Sequence, residues 1–353
     1  MANQKIPLGL TFDDVLLEPR SSRVHPKMAK LETKLTKKIK LQIPIISAAM
    51  DTVTETEMAI VLGKMGGLGV LHRNCSIDEE VKMVKAAKKE KVMVGAAVGP
   101  HDFERAKALD RAGADVIFVD CAHGYNLNVV RDAKKIKKNI KKPLVVGNIA
   151  STNAAKELVK FADAIKVGVG PGSICTTRVV SGVGVPQLTA IMNVVDVAKK
   201  KGVPVIADGG TKYSGDIVKA LAAGASVIML GSMLAGTKES PGEVIKIDGE
   251  LVKVFRGMGS VGAMKKGMSS DRYFQENNKK YVPEGVEGLV KYKGHLEDVL
   301  FQIIGGVRAG MGYIGAATIT DIPKRTKFIQ ITNAGLKESH PHSVKKDKEA
   351  PNY

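Results

Sequence analysis

What most constrains this 353-residue chain is a short apolar run that recurs eight times, rich in Val and Ile and each time followed by a polar stretch of helical character. The runs are Pro44 to Met50, Gly67 to His72, Val92 to Val98, Asp115 to Cys121, Pro143 to Ile149, Ala164 to Gly170, Pro204 to Gly210 and Ser226 to Ser232. Near-continuous apolar strands suit an all-parallel sheet, because its helical crossovers pack against it and keep water away. Eight such βα units predict closure into a (β/α)8 TIM barrel. An open doubly wound sheet is the alternative. It normally carries a Gly-rich dinucleotide turn after its first strand, and Ser47-Ala-Ala-Met-Asp51 is not one.

An apolar content of 44% is enough to bury a core of that size. There is no apolar run of about 18 residues, and Met1 to Leu10 lacks both a cationic, apolar leader and a small-residue cleavage site, so a soluble, unexported protein is expected. Cys75, Cys121 and Cys175 show no CxxC spacing, which suggests neither a disulfide framework nor a zinc cluster and fits a reducing cytoplasm. The net charge of +18 raises nucleic acid as a partner. Yet the lysines are scattered over helical stretches such as Val84 to Lys91 and Asp132 to Lys142, and 4% aromatic residues leave few platforms for stacked bases. Attraction of anionic metabolites is the simpler expectation. A non-catalytic barrel that senses purines or binds RNA is the alternative from another class.

Chemistry in such barrels sits at the carboxyl ends of the strands, so Asp51, His72, Asp120, Asn148, Gly170, Asp208 and Ser232 form one candidate ring. The most informative segment is Gly168-Val-Gly-Pro-Gly-Ser-Ile-Cys-Thr-Thr-Arg178, after the sixth run. Its glycines allow close approaches that a side chain would block, making a loop able to hold an ion with backbone groups. A lone cysteine is by default a small buried hydrophobe, but the polar flanks of Cys175 (Ser173, Thr176, Thr177 and Arg178) reverse that reading. Cys75 and Cys121 lack such a setting and read as structural. Asp208-Gly209-Gly210 and Gly231-Ser232 close the last two runs, where barrels bind phosphate through loop amides. Between Thr237 and Gly294 lies an insertion with Gly257, Gly259, Gly262, Gly267, Gly285 and Gly288, expected as a mobile flap over the barrel mouth. The tail from residue 337 to 353 is polar, and Lys345 to Glu349 is expected to be disordered.

Several long motifs occur in order between about residue 8 and residue 342: Thr11-Phe-Asp-Asp-Val15, Ser47-Ala-Ala-Met-Asp-Thr-Val-Thr-Glu55, Val94-Gly-Ala-Ala-Val98, the Cys175 loop with Gly182-Val-Gly-Val-Pro-Gln187, Ala207-Asp-Gly-Gly210, Arg256-Gly-Met-Gly-Ser260 and Lys337-Glu-Ser-His340. Together they resemble the IMP dehydrogenase / GMP reductase family, and the dehydrogenase branch in particular. The resemblance implies oxidation of inosine 5′-monophosphate (IMP) to xanthosine 5′-monophosphate (XMP) with NAD, a step toward guanine nucleotides. It implies that Cys175 attacks C2 of IMP to give a covalent thioimidate, later hydrolysed. Asp208 would serve the ribose; Ser173, Gly210, Gly231 and Ser232 the phosphate; Met50, Gly257, Met258 and Gly259 the purine; Ser47, Gly209 and Glu284 would be further substrate-binding residues. Asp120, Asn148, Gly168 and Gly170 would face NAD.

Ser270-Asp-Arg-Tyr-Phe-Gln275 matches the family's catalytic flap segment. There Arg272 would activate water, beside Tyr273 and with Thr177 and Glu284 as relay groups. An arginine is a poor base at its ordinary pKa, so the role demands a closed site. Potassium is implied as well, held by carbonyls of Gly170, Gly172 and Cys175 and by Glu338, Ser339 and His340 of a neighbouring subunit's tail. A shared site implies an oligomer, a homotetramer as in the family. Two departures stand out. About twenty residues separate His72 from Val92, where most members insert a pair of cystathionine-β-synthase (CBS) type repeats. Phe255 stands where the family commonly has Tyr, which removes a hydroxyl from the phosphate site. GMP reductase, the nearest rival, lacks the Arg-Tyr segment.

Overall fold

The structure, a computed structural model, describes residues 6–266, 269–275 and 280–344. All eight runs are strands: β1 (Ile45–Ser47), β2 (Leu68–Leu71), β3 (Val94–Val98), β4 (Val116–Asp120), β5 (Leu144–Ile149), β6 (Ala164–Val167), β7 (Val205–Asp208) and β8 (Val227–Leu230). Every neighbouring pair is parallel, and β8 pairs with β1 through Ile228 and Ile45, so the sheet closes into a barrel. The crossover helices are α1 (Thr56–Lys64), α2 (Ile77–Lys89), α3 (Phe103–Ala112), α4 (Leu127–Asn139), α5 (Thr152–Leu158), α6 (Gln187–Ala198) and α7 (Ser214–Ala222), with one more helical turn at Thr177–Ser181 ahead of α6, and α8 (Leu296–Ile314) follows the insertion after β8. The open-sheet alternative is thereby excluded.

Side-chain alternation then decides what faces inward. In β4, Val116 and Phe118 belong to the cluster inside the barrel, whereas Ile117 and Val119 pack outward with the helices. Continuing that period puts Asp120 inside, at the carboxyl end. The same rule carries Lys166 inward above Ala164 on β6, and Asp208 above Ile206 on β7. The opposite end of the barrel is stopped by a small hairpin, Thr33–Lys34 with Lys40–Leu41, whose Leu35 and Leu41 join the inner cluster. Polar groups are thus confined to one end of an otherwise apolar interior.

The insertion is more ordered than a loop. It forms an antiparallel sheet of β9 (Ile245–Ile247), β10 (Glu250–Arg256) and β11 (Glu287–Lys291). Asp248 and Gly249, both at positive φ (50° and 86°), turn β9 into β10. That is the two-residue Asp-Gly turn whose twist suits a hairpin. The insertion expected as a flap thus carries a three-stranded sheet. Gly267 and the run Lys345 to Glu349 lie outside the described residues. Only α2 fills the span between β2 and β3, so no further module is inserted there. Among the described residues no helix is long and apolar enough to cross a membrane.

Candidate active site

A cavity of about 370 Å³ opens at the carboxyl end of the barrel. The Cys175 loop forms one wall. Gly168 begins it with φ +150°, and a Cβ there would lie 2.1 Å from the Asp208 carbonyl oxygen, so only glycine lets the loop leave β6 alongside β7. Arg178 ties the loop's two ends together, donating from Nε to the Val169 carbonyl (3.0 Å) and from Nη2 to the Val185 carbonyl (2.6 Å). The loop is also stitched to the insertion: Thr176 N–H donates to the Glu284 carbonyl, and Val286 N–H to the Ile174 carbonyl, each at 3.0 Å. Cys175 is half-buried at the cavity wall, its Sγ 3.2 Å from Thr177 Oγ1.

The floor is a charged network that the sequence reading did not anticipate. Lys166 is buried, and its ammonium donates to Asp120 Oδ1 (2.9 Å), Asp208 Oδ2 (2.5 Å) and Asn148 Oδ1. Asn148 in turn donates from Nδ2 to Asp208 Oδ2 (2.9 Å) and to the Gly168 carbonyl (2.7 Å). Two carboxylates at the top of a low-dielectric barrel would repel each other, and the ammonium between them offsets that cost. Asp208 Oδ1 has no donor among the described residues and remains able to accept from a ligand. The signal in the sequence was a lysine inside an apolar strand, Ala164-Ile-Lys-Val167.

Across the cavity stands the segment Ser270–Tyr273, a 3-10 turn of the insertion. Arg272 forms an ion pair with Asp120 Oδ2, and its carbonyl accepts from Ala122 N–H at 3.2 Å. Burial pushes the Arg272 pKa down; the neighbouring Tyr273 opposes the shift and the Arg73 guanidinium adds to it. Tyr273 has its pKa raised by burial. Of the residues singled out in the sequence, Cys175, Thr177, Arg272, Tyr273, Glu284, Met50, Ser173, Asp208, Gly209, Gly210, Gly231, Ser232, Gly257, Met258, Asp120, Asn148, Gly168, Gly170 and Gly172 all line this one cavity.

Others lie elsewhere. Ser47 is fully buried behind the wall and accepts from Thr54 Oγ1 at 2.7 Å. Gly259 backs Tyr273: a Cβ there would meet its ring at 2.6 Å. Asp51 does not face the cavity; it pairs with Arg256 and accepts from Asn74 Nδ2 (2.8 Å), joining β1 to β10. Burial works against the Asp51 charge, yet the Arg256 and Asn74 hydrogen bonds outweigh it and leave the pKa below the ordinary value. His72 likewise turns aside to Glu55, at 3.2 Å.

The ordered motifs now sit on one barrel around one cavity, and a family profile described as the IMP dehydrogenase / GMP reductase domain matches residues 9–342. The chain belongs to the IMP dehydrogenase / GMP reductase family. It is 48% identical to an inosine-5′-monophosphate dehydrogenase of Cryptosporidium parvum, each chain being covered completely. It is 42% identical to one of Methanocaldococcus jannaschii, with 97% of both chains covered, and 40% identical to one of Thermoplasma acidophilum, with 99% of this chain and 97% of the relative covered. The alignment with the M. jannaschii protein runs over 480 positions, so more than a hundred of them have no residue in this 353-residue chain.

Within this family member, Phe255 is buried and lines the cavity, where it presents no hydroxyl to a ligand. Glu338 ends a short helix (Asn333–Glu338), Ser339 donates from Oγ to the Gly335 carbonyl, and His340 stacks edge-on against Tyr213 with ring centroids 5.7 Å apart. These three do not line the cavity of their own chain. Among the described residues no cluster of His, Cys, Asp and Glu could hold a metal ion. Carbonyls are a different matter. Cys175 N–H donates to the Gly172 carbonyl, while those of Gly170 and Cys175 receive no donor among the described residues, so the loop fits a hard monovalent cation.

Proposed function

We propose that the protein converts IMP to XMP with reduction of NAD, in the synthesis of guanine nucleotides. One observation carries the reading: Cys175 and the Arg272–Tyr273 pair line a single cavity together with Asp208 and the glycine turns. Asp208, with Oδ2 held by Lys166 and Asn148, offers Oδ1 to the ribose hydroxyls. Ser173, Gly210, Gly231 and Ser232 hold the phosphate with hydroxyls and backbone amides. That grip sets the purine against Cys175, a gain of orientation the reaction needs.

Cys175 Sγ then bonds to C2 of IMP as the thiol proton passes by way of Thr177 Oγ1 to solvent, from which the thiolate is reprotonated at the end of the cycle. Asp120 and Asn148 would hold NAD, which would supply the acceptor for the hydride that leaves C2. A thioimidate remains on Cys175. In the second half a water adds to C2, loses a proton toward Arg272, and the C–S bond breaks to release XMP and restore the thiol. Burial favours the neutral form of Arg272, which is what a base requires. Thr177 beside Cys175 and Glu284, in the bend before β11, complete the relay. The pairing of Arg272 with Asp120 means that this segment and a bound cofactor contend for the same carboxylate. Gly170, Gly172 and Cys175 carbonyls would hold potassium, completed by Glu338, Ser339 and His340 of another subunit in a homotetramer. The ion would brace the loop that carries the thiol.

The relatives described above all bear the dehydrogenase name, and the Arg272–Tyr273 segment is the feature the reductive branch lacks. Absorbance at 340 nm with IMP and NAD tests the reading. NADH and XMP are expected in equal amounts, and Cys175→Ala is expected to remove both. Turnover of GMP with NADPH, and none of IMP with NAD, would refute it.

A further inference from the structure

We infer that Arg73 and Asp271 form a docking latch, seated on Gly99, that positions the Arg272–Tyr273 segment for hydrolysis; this rests on the function proposed above. Neither residue lines the cavity, and the chemistry just described uses neither. Arg73 stands just past β2 with its side chain 7% exposed, and its guanidinium meets the Asp271 carboxylate twice: Nη1 to Oδ2 at 2.9 Å and Nη2 to Oδ1 at 2.7 Å. The first is a hydrogen bond and the second an ion-pair approach without hydrogen-bond geometry, and the two together limit how the carboxylate can turn. Asp271 immediately precedes Arg272, so fixing its carboxylate limits where the next side chain can point.

The seat is independent of the charges. At Gly99, just after β3, a Cβ would fall 2.5 Å from Asp271 Oδ2 and 3.2 Å from Arg73 Nη1. Any side chain there would force the carboxylate out. The segment therefore makes three contacts with the barrel: the latch beyond β2 and β3, the Ala122 N–H to the Arg272 carbonyl beyond β4, and the Arg272–Asp120 pair. The last contends with the cofactor for Asp120. The latch is made outside the cavity and can hold the segment without touching either substrate. Arg73 also brings positive charge near Arg272, which adds to burial in favouring its neutral form.

Rapid mixing with IMP and NAD, followed at 340 nm, separates hydride transfer from hydrolysis. In Asp271→Asn and in Gly99→Ala, the first NADH per site is expected at the parent's rate, with later turnovers slowed at least about 10-fold as the thioimidate accumulates. Gly99→Ala leaves both charges in place, so it answers for a misfolded Asp271→Asn, and unfolding curves identify such a failure. Both phases slowing together in folded variants would overturn the latch, as would both variants matching the parent. A parent that forms no NADH from IMP would defeat the proposed function itself; an active parent with unaffected variants would defeat the latch alone.

Discussion

Three thiols share this chain, and burial sorts them. Burial pushes Cys75 up to about 12, with the charge of Glu80 adding to it, and pushes Cys121 up to about 11. The thiolate is the reacting form, so raised values leave both protonated and inert at neutral pH. Cys75 and Cys175 are both half-buried, but of the three thiols only Cys175 lines the cavity. Iodoacetamide at neutral pH is expected to label Cys175 alone in the folded protein, read by peptide mass spectrometry; labelling of Cys121 ahead of it would contradict this. The polar flanks of Cys175 singled it out in the sequence, and it lines the cavity. Lys166 was not legible, because its meaning depends on Asp120 and Asp208, which lie 46 and 42 residues away. Asp51 misled for the converse reason: it follows the first apolar run of the sequence, but its carboxylate is claimed by Arg256, 205 residues on.

Elements were legible where they repeat. Each of the eight strands is a local apolar run, and the helices between them follow from composition alone. The insertion was harder, since its sheet is set by one Asp248-Gly249 turn and by a strand, β11, arriving more than thirty residues later. Local signals do not announce that pairing. The Cys175 loop shows the cost of a single position. Replacing Gly168 by Ala puts a Cβ against the Asp208 carbonyl in a backbone region that L side chains rarely adopt. We expect this variant to lose about 1–3 kcal/mol of stability and most of its turnover, as loop and β7 are forced apart. Denaturant unfolding measures the first and NADH formation the second; an unchanged midpoint would show that the close approach is relieved at no cost.

At the scale of the whole molecule, one barrel end gathers Cys175, Thr177, Asp120, Asn148 and Asp208 around one cavity, and the insertion after β8 adds Arg272, Tyr273 and Glu284 to its lining. Interior alternation brings Asp120, Lys166 and Asp208 to the same height, and family membership covers residues 9–342, so the arrangement is a property of the complete fold. The central claim is a carbon–sulfur bond on Cys175. Its most direct test uses Arg272→Ala, in which hydrolysis is expected to lag hydride transfer: after mixing with IMP and NAD and acid quenching, intact-protein mass spectrometry should show one nucleotide added per chain, mapped to the peptide holding Cys175 and absent without NAD. A protein that turns IMP into XMP while its Cys175 peptide never gains mass would contradict the account.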